Sequence, residues 1–390
     1  MLQLLGVFQK QGYSITVASA ASRSEFSLDL TPLGIEMRDI KMNDSSFDNF
    51  VKELEPNVVL FDRFLTEEQF GWRVAEQVPN AVRILDTEDL HSLRHVREQS
   101  FKKGMDFTTD IWLQDDKTKR EIASIYRCDL SLIISSFELE LLTEVLKIDK
   151  SLLLLLPFMV DEIKENIQWP TYEQRTDFLF IGGGKHAPNI DAILNLKNNI
   201  WPLIRQQLPD AKLNVYGAYL PQQVMEMHNT KEGFWVQGRA EDVQGVMLQA
   251  RVCLAPLRFG AGIKGKLLEA MRNGTPSVTT SIGAEGMQGI LDWNGFIENS
   301  PADFANAAVR LYTDVTTWNT AQEQGKTLVN TLFSKISLET LLVSKLDDLQ
   351  MKLSNHRKQN FIGALLQHQI LSATKYMGKW IEEKNKASLG

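Results

Sequence analysis

Residues 252–286, VCLAPLRFGAGIKGKLLEAMRNGTPSVTTSIGAEG, decide how the rest of the chain is read. Apolar residues at 252–257 predict a buried strand, a loop follows with Gly260, Gly262 and Gly265, and residues 266–272 carry a helical pattern. Gly274 and Pro276 stop that helix, and Ser277-Val278-Thr279-Thr280 has the β-branched content of a second strand. A strand, a glycine loop and a helix in that order present backbone N–H groups and the positive end of a helix dipole to whatever sits above the loop. Phosphate is the usual occupant. Lys264 and Lys266 add positive charge there, and Glu269 is the one acid close to it in sequence.

Outward from this stretch the chain alternates strands and helices. Residues 1–10 read as a helix and 13–18 as a strand. An α/β domain ordinarily opens on the strand that becomes the middle of its sheet, so the preferred reading places that strand before residue 1, over a fold that opens on a helix. Strands are expected at 34–40, 57–61, 81–85, 130–135 and 152–156. Helices are expected at 45–54, 66–77 and 110–126, from Thr87 onward with Glu88 and Asp89 in the first turn, and through Leu146. Periodicity fades over 161–176, around Trp169-Pro170. It resumes with strands at 177–181, 212–216, 234–236, 252–257, 277–280 and 295–298, and residues 301–353 read as helical.

The fold class expected is therefore α/β, with two doubly wound, Rossmann-like domains facing a cleft. Residues 1–160 form the first, 161–176 the linker, 177–350 the second, and 351–390 a helical tail. Within the tail, residues 361–380 are amphipathic and carry Lys375 and Lys379, with Lys384 beyond. A helix packed back on the body is preferred there over a membrane-surface or partner helix.

The 390 residues exceed one ordinary core, and an apolar share of 43% with 23% charged residues describes a globular chain. Lys and Arg number 42 against 49 Asp and Glu, a net charge of −7 that argues against nucleic acid as a partner. Cys128 and Cys253 both stand among apolar residues, which suits buried thiols in a reduced, cytoplasmic protein. No signal peptide and no membrane-length apolar run is recognised.

Gly260-x-Gly262-x-x-Gly265, with Glu285 twenty residues beyond, formally matches a dinucleotide fingerprint. That fingerprint belongs to the first strand of its domain, whereas three strands of the same domain precede this one. The two lysines flanking Gly265 suit a nucleoside diphosphate better than a nicotinamide dinucleotide.

The run from Pro256 to Met271, together with Gly274-x-Pro276-x-Val278-x-Thr280 and Gly283-Ala284-Glu285-Gly286, resembles the nucleotide-sugar site of the family 4 retaining glycosyltransferases of GT-B fold. Phe180-Ile181-Gly182 with Pro188-Asn189, Trp201-Pro202, Leu208-Pro209-Asp210-Ala211 and Val215-Tyr216-Gly217 fit the same pattern. In the first domain, Asp86-Thr87-Glu88-Asp89-Leu90-His91-Ser92-Leu93-Arg94 is similar to a segment of bacterial sugar transferases. The resemblance is strong over 175–300, looser before that and absent from the tail.

The resemblance implies a metal-independent hexosyltransferase that takes a nucleotide-diphosphate sugar and needs no cofactor. Glu269 would hold the donor ribose. Lys264 and Lys266 would hold the diphosphate, with Arg258 beside them and the glycine loop of Gly260, Gly262 and Gly265 beneath. Gly183 and Lys185, after the second domain's first strand, would face the same cleft, as would His186. The first glutamate of the family's pair, which meets the donor sugar, is replaced by Ala261. Asp86 ends a strand and so should point into the cleft, to orient an acceptor hydroxyl or the donor sugar; with the two lysines it completes the catalytic set. A glycan or lipid-linked acceptor in polysaccharide or envelope glycan synthesis is implied, in a cytoplasmic protein with room for a peripheral contact at the inner membrane face. Two other readings stand beside this one: a non-catalytic nucleotide-sugar-binding subunit, suggested by Ala261, and an NAD-dependent oxidoreductase, suggested by the glycine spacing alone.

Overall fold

The computed structural model describes residues 1–22, 27–368 and 380, so most of the amphipathic 361–380 stretch lies outside the described residues. Twelve strands occur among the described residues: β1 (Thr16–Ser19), β2 (Glu36–Asp39), β3 (Val58–Asp62), β4 (Val82–Asp86), β5 (Leu130–Ile133), β6 (Leu153–Leu155), β7 (Thr176–Ile181), β8 (Leu213–Tyr216), β9 (Phe234–Gly238), β10 (Ala250–Ala255), β11 (Ser277–Thr279) and β12 (Gly295–Ile297). All pair in parallel.

The second domain is one six-stranded sheet in the order β12-β11-β10-β7-β8-β9. Its first strand in sequence, β7, lies at the centre and the order reverses between β7 and β10, the doubly wound arrangement that places ligands at the strands' carboxyl ends. Phe178, Phe180, Leu213, Val215, Val252 and Leu254 are buried under the flanking helices with Ile193, Trp201 and Trp318. Each such side chain contributes roughly 1.5–3 kcal/mol relative to exposure. Arg175 fixes where the linker ends: fully buried, it donates to the carbonyls of Pro170, Met247, Ala250 and Asn273 and to Thr275 Oγ1.

The first domain holds β3-β4-β5-β6 as one sheet and β1-β2 as a separate pair. The helix Lys335–Gln359 then crosses back. Its Leu342, Leu346 and Leu349 are buried against Val82, Ile84 and Leu130, and Arg357 pairs with Asp129 at 2.7 Å. Residues 335–350 therefore contribute to the first domain's core, although the sequence groups them with the second.

Three local readings change. The helix expected from Thr87 starts at His91, because Glu88 adopts a left-handed φ of 58° and residues 87–90 form a turn in which Thr87 Oγ1 donates to the Leu132 carbonyl. The helix expected over 110–126 is two, Thr109–Gln114 and Asp116–Arg127, broken at Asp115, whose carboxylate caps the second. The helix expected through Leu146 is Ser136–Glu140 followed by a π turn, Leu141–Val145.

Candidate active site

The carboxyl ends of β4 and β5 face those of β7 and β10 across a cavity of about 440 Å³. Asp86, Glu88, Asp89 and Arg94 line it from the first domain, and His186, Asn189 and residues 257–266 from the second. The floor is the glycine loop leading into the helix Gly265–Arg272, which opens at Gly265 with Lys264 as the preceding residue. Gly265 and Lys266, at its first turn, line the cavity, and the helix dipole adds a fraction of a positive charge there.

Of the residues singled out in sequence, Asp86, Lys264, Lys266, Gly260, Gly262 and Gly265 are brought together around this cavity. Lys264 is buried and donates to the Gly262 carbonyl at 2.7 Å; burial, chiefly, pushes it down to about 8 against the pull of Glu285 and Glu138. Lys266 donates to Asn189 Oδ1 at 2.5 Å above the Phe180 ring, and burial lowers it to about 8 as well. Asp86 is raised by burial to about 6. Its strand neighbour Asp62 stands beside it in register.

The other predicted residues are placed differently. Glu269 lies one turn along the helix, half-buried, paired with Arg272 at 2.8 Å and outside the cavity lining. Arg258 donates both ends of its guanidinium to Asp191, at 2.8 and 2.5 Å, and lies over the Phe101 ring. Lys185 sits over the Tyr219 ring, 3.9 Å from its centre. Gly183 accepts from Asn189 Nδ2 at 2.9 Å, so its loop supports Lys266 through Asn189.

Ala261, partly buried, packs against the first domain's apolar cluster, which includes Ile133, Phe137 and Leu139, at the edge of the cavity. A carboxylate reaches the loop from elsewhere. Glu138, fully buried, accepts from Gly262 N at 2.8 Å and from Leu90 N at 3.1 Å, and burial pushes its pKa up. Beside it Arg97 donates to both oxygens of Glu285, at 2.7 and 2.8 Å, and to the Gly260 carbonyl at 2.9 Å. The glycine loop is thus held by first-domain side chains that no spacing in the sequence marks.

Glu121 sets the helix that carries Arg94 and Arg97. It accepts from His91 N and Ser92 N, each at 2.9 Å, taking the place of a capping residue. His91 is kept neutral, lowered to about 3 by burial and by Arg94 and Arg63 nearby. Arg63, directly after β3, and Glu88, two residues after β4, both hold positive φ without being glycine, a strained backbone at the ends of these strands.

Gly262 has φ 63°, and a Cβ there would lie 2.7 Å from Asp89 Cβ. Gly262→Ala is expected to cost about 1–3 kcal/mol through the backbone and the clash together. Urea denaturation checks this, and a variant as stable as the parent would mean that the loop does not press on the first domain as drawn.

Residues 175–314 match the family described as glycosyl transferases group 1. An uncharacterized 44.6 kDa protein in the cps region of Klebsiella pneumoniae is 28% identical over 115 residues, which cover 28% of this chain and 30% of that protein. The fold matches a mutant TarM of S. aureus, crystallised with fondaparinux, alpha-GlcNAc-glycerol and UDP, at TM-score 0.58 and 12% identity over 76% of this chain. The match spans 57% of that protein's length. Alr3699/HepE of Anabaena, solved with UDP and glucose, matches at TM-score 0.65 and 12% identity over 89% of this chain and 95% of its own. The chain has the two-domain GT-B fold of these glycosyltransferases, and the match to the glycosyl transferases group 1 family lies within its second domain, over residues 175–314.

Proposed function

We propose that the protein is a glycosyltransferase that moves a sugar from a nucleoside diphosphate to an acceptor hydroxyl, with retention at the anomeric carbon. One observation carries this reading. The interdomain cavity sets Lys264, Lys266 and a helix N-terminus on one wall against Asp86, Glu88 and Asp89 on the other. The first wall suits a diphosphate leaving group, on whose bridging oxygen negative charge grows as the anomeric C–O bond breaks. The second suits hydroxyls. Asp86, poised at about 6, is ionised at neutral pH and can accept a hydrogen bond from the sugar or the incoming hydroxyl.

In this scheme the bond from the anomeric carbon to the diphosphate oxygen breaks, and one forms to the acceptor oxygen. The acceptor's proton leaves on a carboxylate or on the departing diphosphate. Residues 182–185 and Glu269 flank the cavity, where the nucleoside portion would extend, and no cofactor or metal is invoked. A glycan or lipid-linked acceptor in polysaccharide assembly is supported by the Klebsiella relative's cps setting. Among the described residues no helix is long and apolar enough to cross a membrane. Peripheral attachment at the inner face belongs to the proposal alone.

A panel of nucleoside diphosphates and their sugars tests the reading. One nucleoside diphosphate should raise the melting temperature, and its sugar conjugate should be slowly hydrolysed or transferred. Stabilisation by NAD in place of every nucleoside diphosphate would overturn it. Binding without any turnover, across sugars and acceptors, would leave the non-catalytic subunit as the better account.

A further inference from the structure

We infer that Arg94 of the first domain is a ligand of the diphosphate, so that the leaving group is clamped from both sides of the cleft. This rests on the function proposed above. Three basic side chains that are charged or nearly so at neutral pH line the cavity: Lys264, Lys266 and Arg94. The two lysines are turned inward, one to the Gly262 carbonyl and the other to Asn189, and both sit under burial that disfavours their charge. Arg94 differs in each respect. Its side chain is 31% exposed, and Nη1 donates to Asp89 Oδ2 at 2.6 Å. No other hydrogen bond of its guanidinium occurs among the described residues, which leaves further donors for the cavity.

Arg94 also lies close to the second domain's wall. The imidazole of His186 is lowered by burial and then by the positive charges of Arg94 and Lys266, so cations from both domains converge on one place. Asp89 holds the guanidinium there without covering it. A guanidinium fork stays charged at any working pH and fits two phosphate oxygens at once, which neither lysine can do. Arg258 and Lys185, the other two basic residues singled out in the second domain, contact Asp191 and the Tyr219 ring respectively.

Calorimetric titration of the full chain with UDP, GDP and ADP, and with the matching nucleosides, tests the assignment. Arg94→Ala should weaken the diphosphate that binds best by about ten- to a hundredfold, the worth of a charged hydrogen-bonded pair. The affinity for the bare nucleoside should not change. Arg94→Lys, which keeps the stem and the charge, should lose less but still lose, and it carries the test if the alanine variant does not fold. Equal diphosphate affinity in the variants, or an equal loss for the nucleoside, overturns the role of Arg94 and leaves the proposed function standing. If the parent protein binds none of the three diphosphates, the functional reading fails and takes this assignment with it.

Discussion

Arg97→Met is expected to lower stability by about 3–5 kcal/mol, the range for removing one partner of a buried ion pair. Arg97 and Glu285 are 6% and 13% exposed at their side chains and meet in two parallel bonds of 2.7 and 2.8 Å. Methionine fills much of the space between the Phe107 and Phe137 rings that flank the guanidinium, so the loss is electrostatic more than steric. It leaves Glu285 buried without its partner, and the Gly260 carbonyl loses its donor. Lys264 offsets part of the cost, since Glu285 already acts on it. The glycine loop should also loosen from the first domain, so nucleotide affinity should fall along with the melting temperature. Arg97→Met combined with Glu285→Leu should recover most of the stability without restoring the affinity. A single variant within about 1 kcal/mol of the parent would show that this pair does not latch the domains.

The alternation of strands and helices is legible because each buried parallel strand is a short apolar run closed by glycine, proline or a polar turn. The central place of β7 and the cleft at the carboxyl ends then follow from doubly wound topology. Residues 87–90 were harder. Glu88 and Asp89 look like acids in a first helical turn, yet the left-handed Glu88 defers the helix to His91, whose free N–H groups are met by Glu121 thirty residues later. No local signal reports a cap supplied by another helix.

The site divides the same way. That Lys264, Lys266 and the glycines share one cavity is legible because they lie within one continuous stretch. The pairing of Arg258 was not legible, because its partner, Asp191, stands 67 residues earlier and takes two bonds from the guanidinium. Arg97 and Glu138 gave no signal at all. Their contacts to Gly260 and Gly262 span 163 and 124 residues, and only the packing of one domain on the other makes them. Ala261 registered in sequence as a missing glutamate. In the fold it touches the first domain's core on one side and lines the cavity on the other.

Raising the pH from 7.5 to 9.5 should weaken nucleoside diphosphate binding by up to about a hundredfold per unit above pH 8, one factor of ten for each of two lysines. Lys264 and Lys266 are both held near 8 by burial, Lys264 among Glu285, Glu138, Arg97 and Asp89, and Lys266 beside Cys253 and Lys264. A bound diphosphate favours the charged ammonium, so each lysine must take up a proton once the free protein has lost it. Starting at pH 7.5 keeps the phosphate's own ionisation, near pH 6, out of the window. The sign for folding is opposite. A lysine whose pKa drops on folding from 10.5 to about 8 destabilises the native state while it is charged, and this cost is relieved as pH rises from 8 to 10.5. These two groups therefore cannot weaken binding by unfolding the protein. Titrations in buffers of different ionisation enthalpy should show proton uptake above pH 8, and Lys266→Met should reduce the slope to about tenfold per unit. An affinity that stays level to pH 9.5 would mean that neither lysine meets the phosphates, and the cavity's charge would have to be explained without a diphosphate.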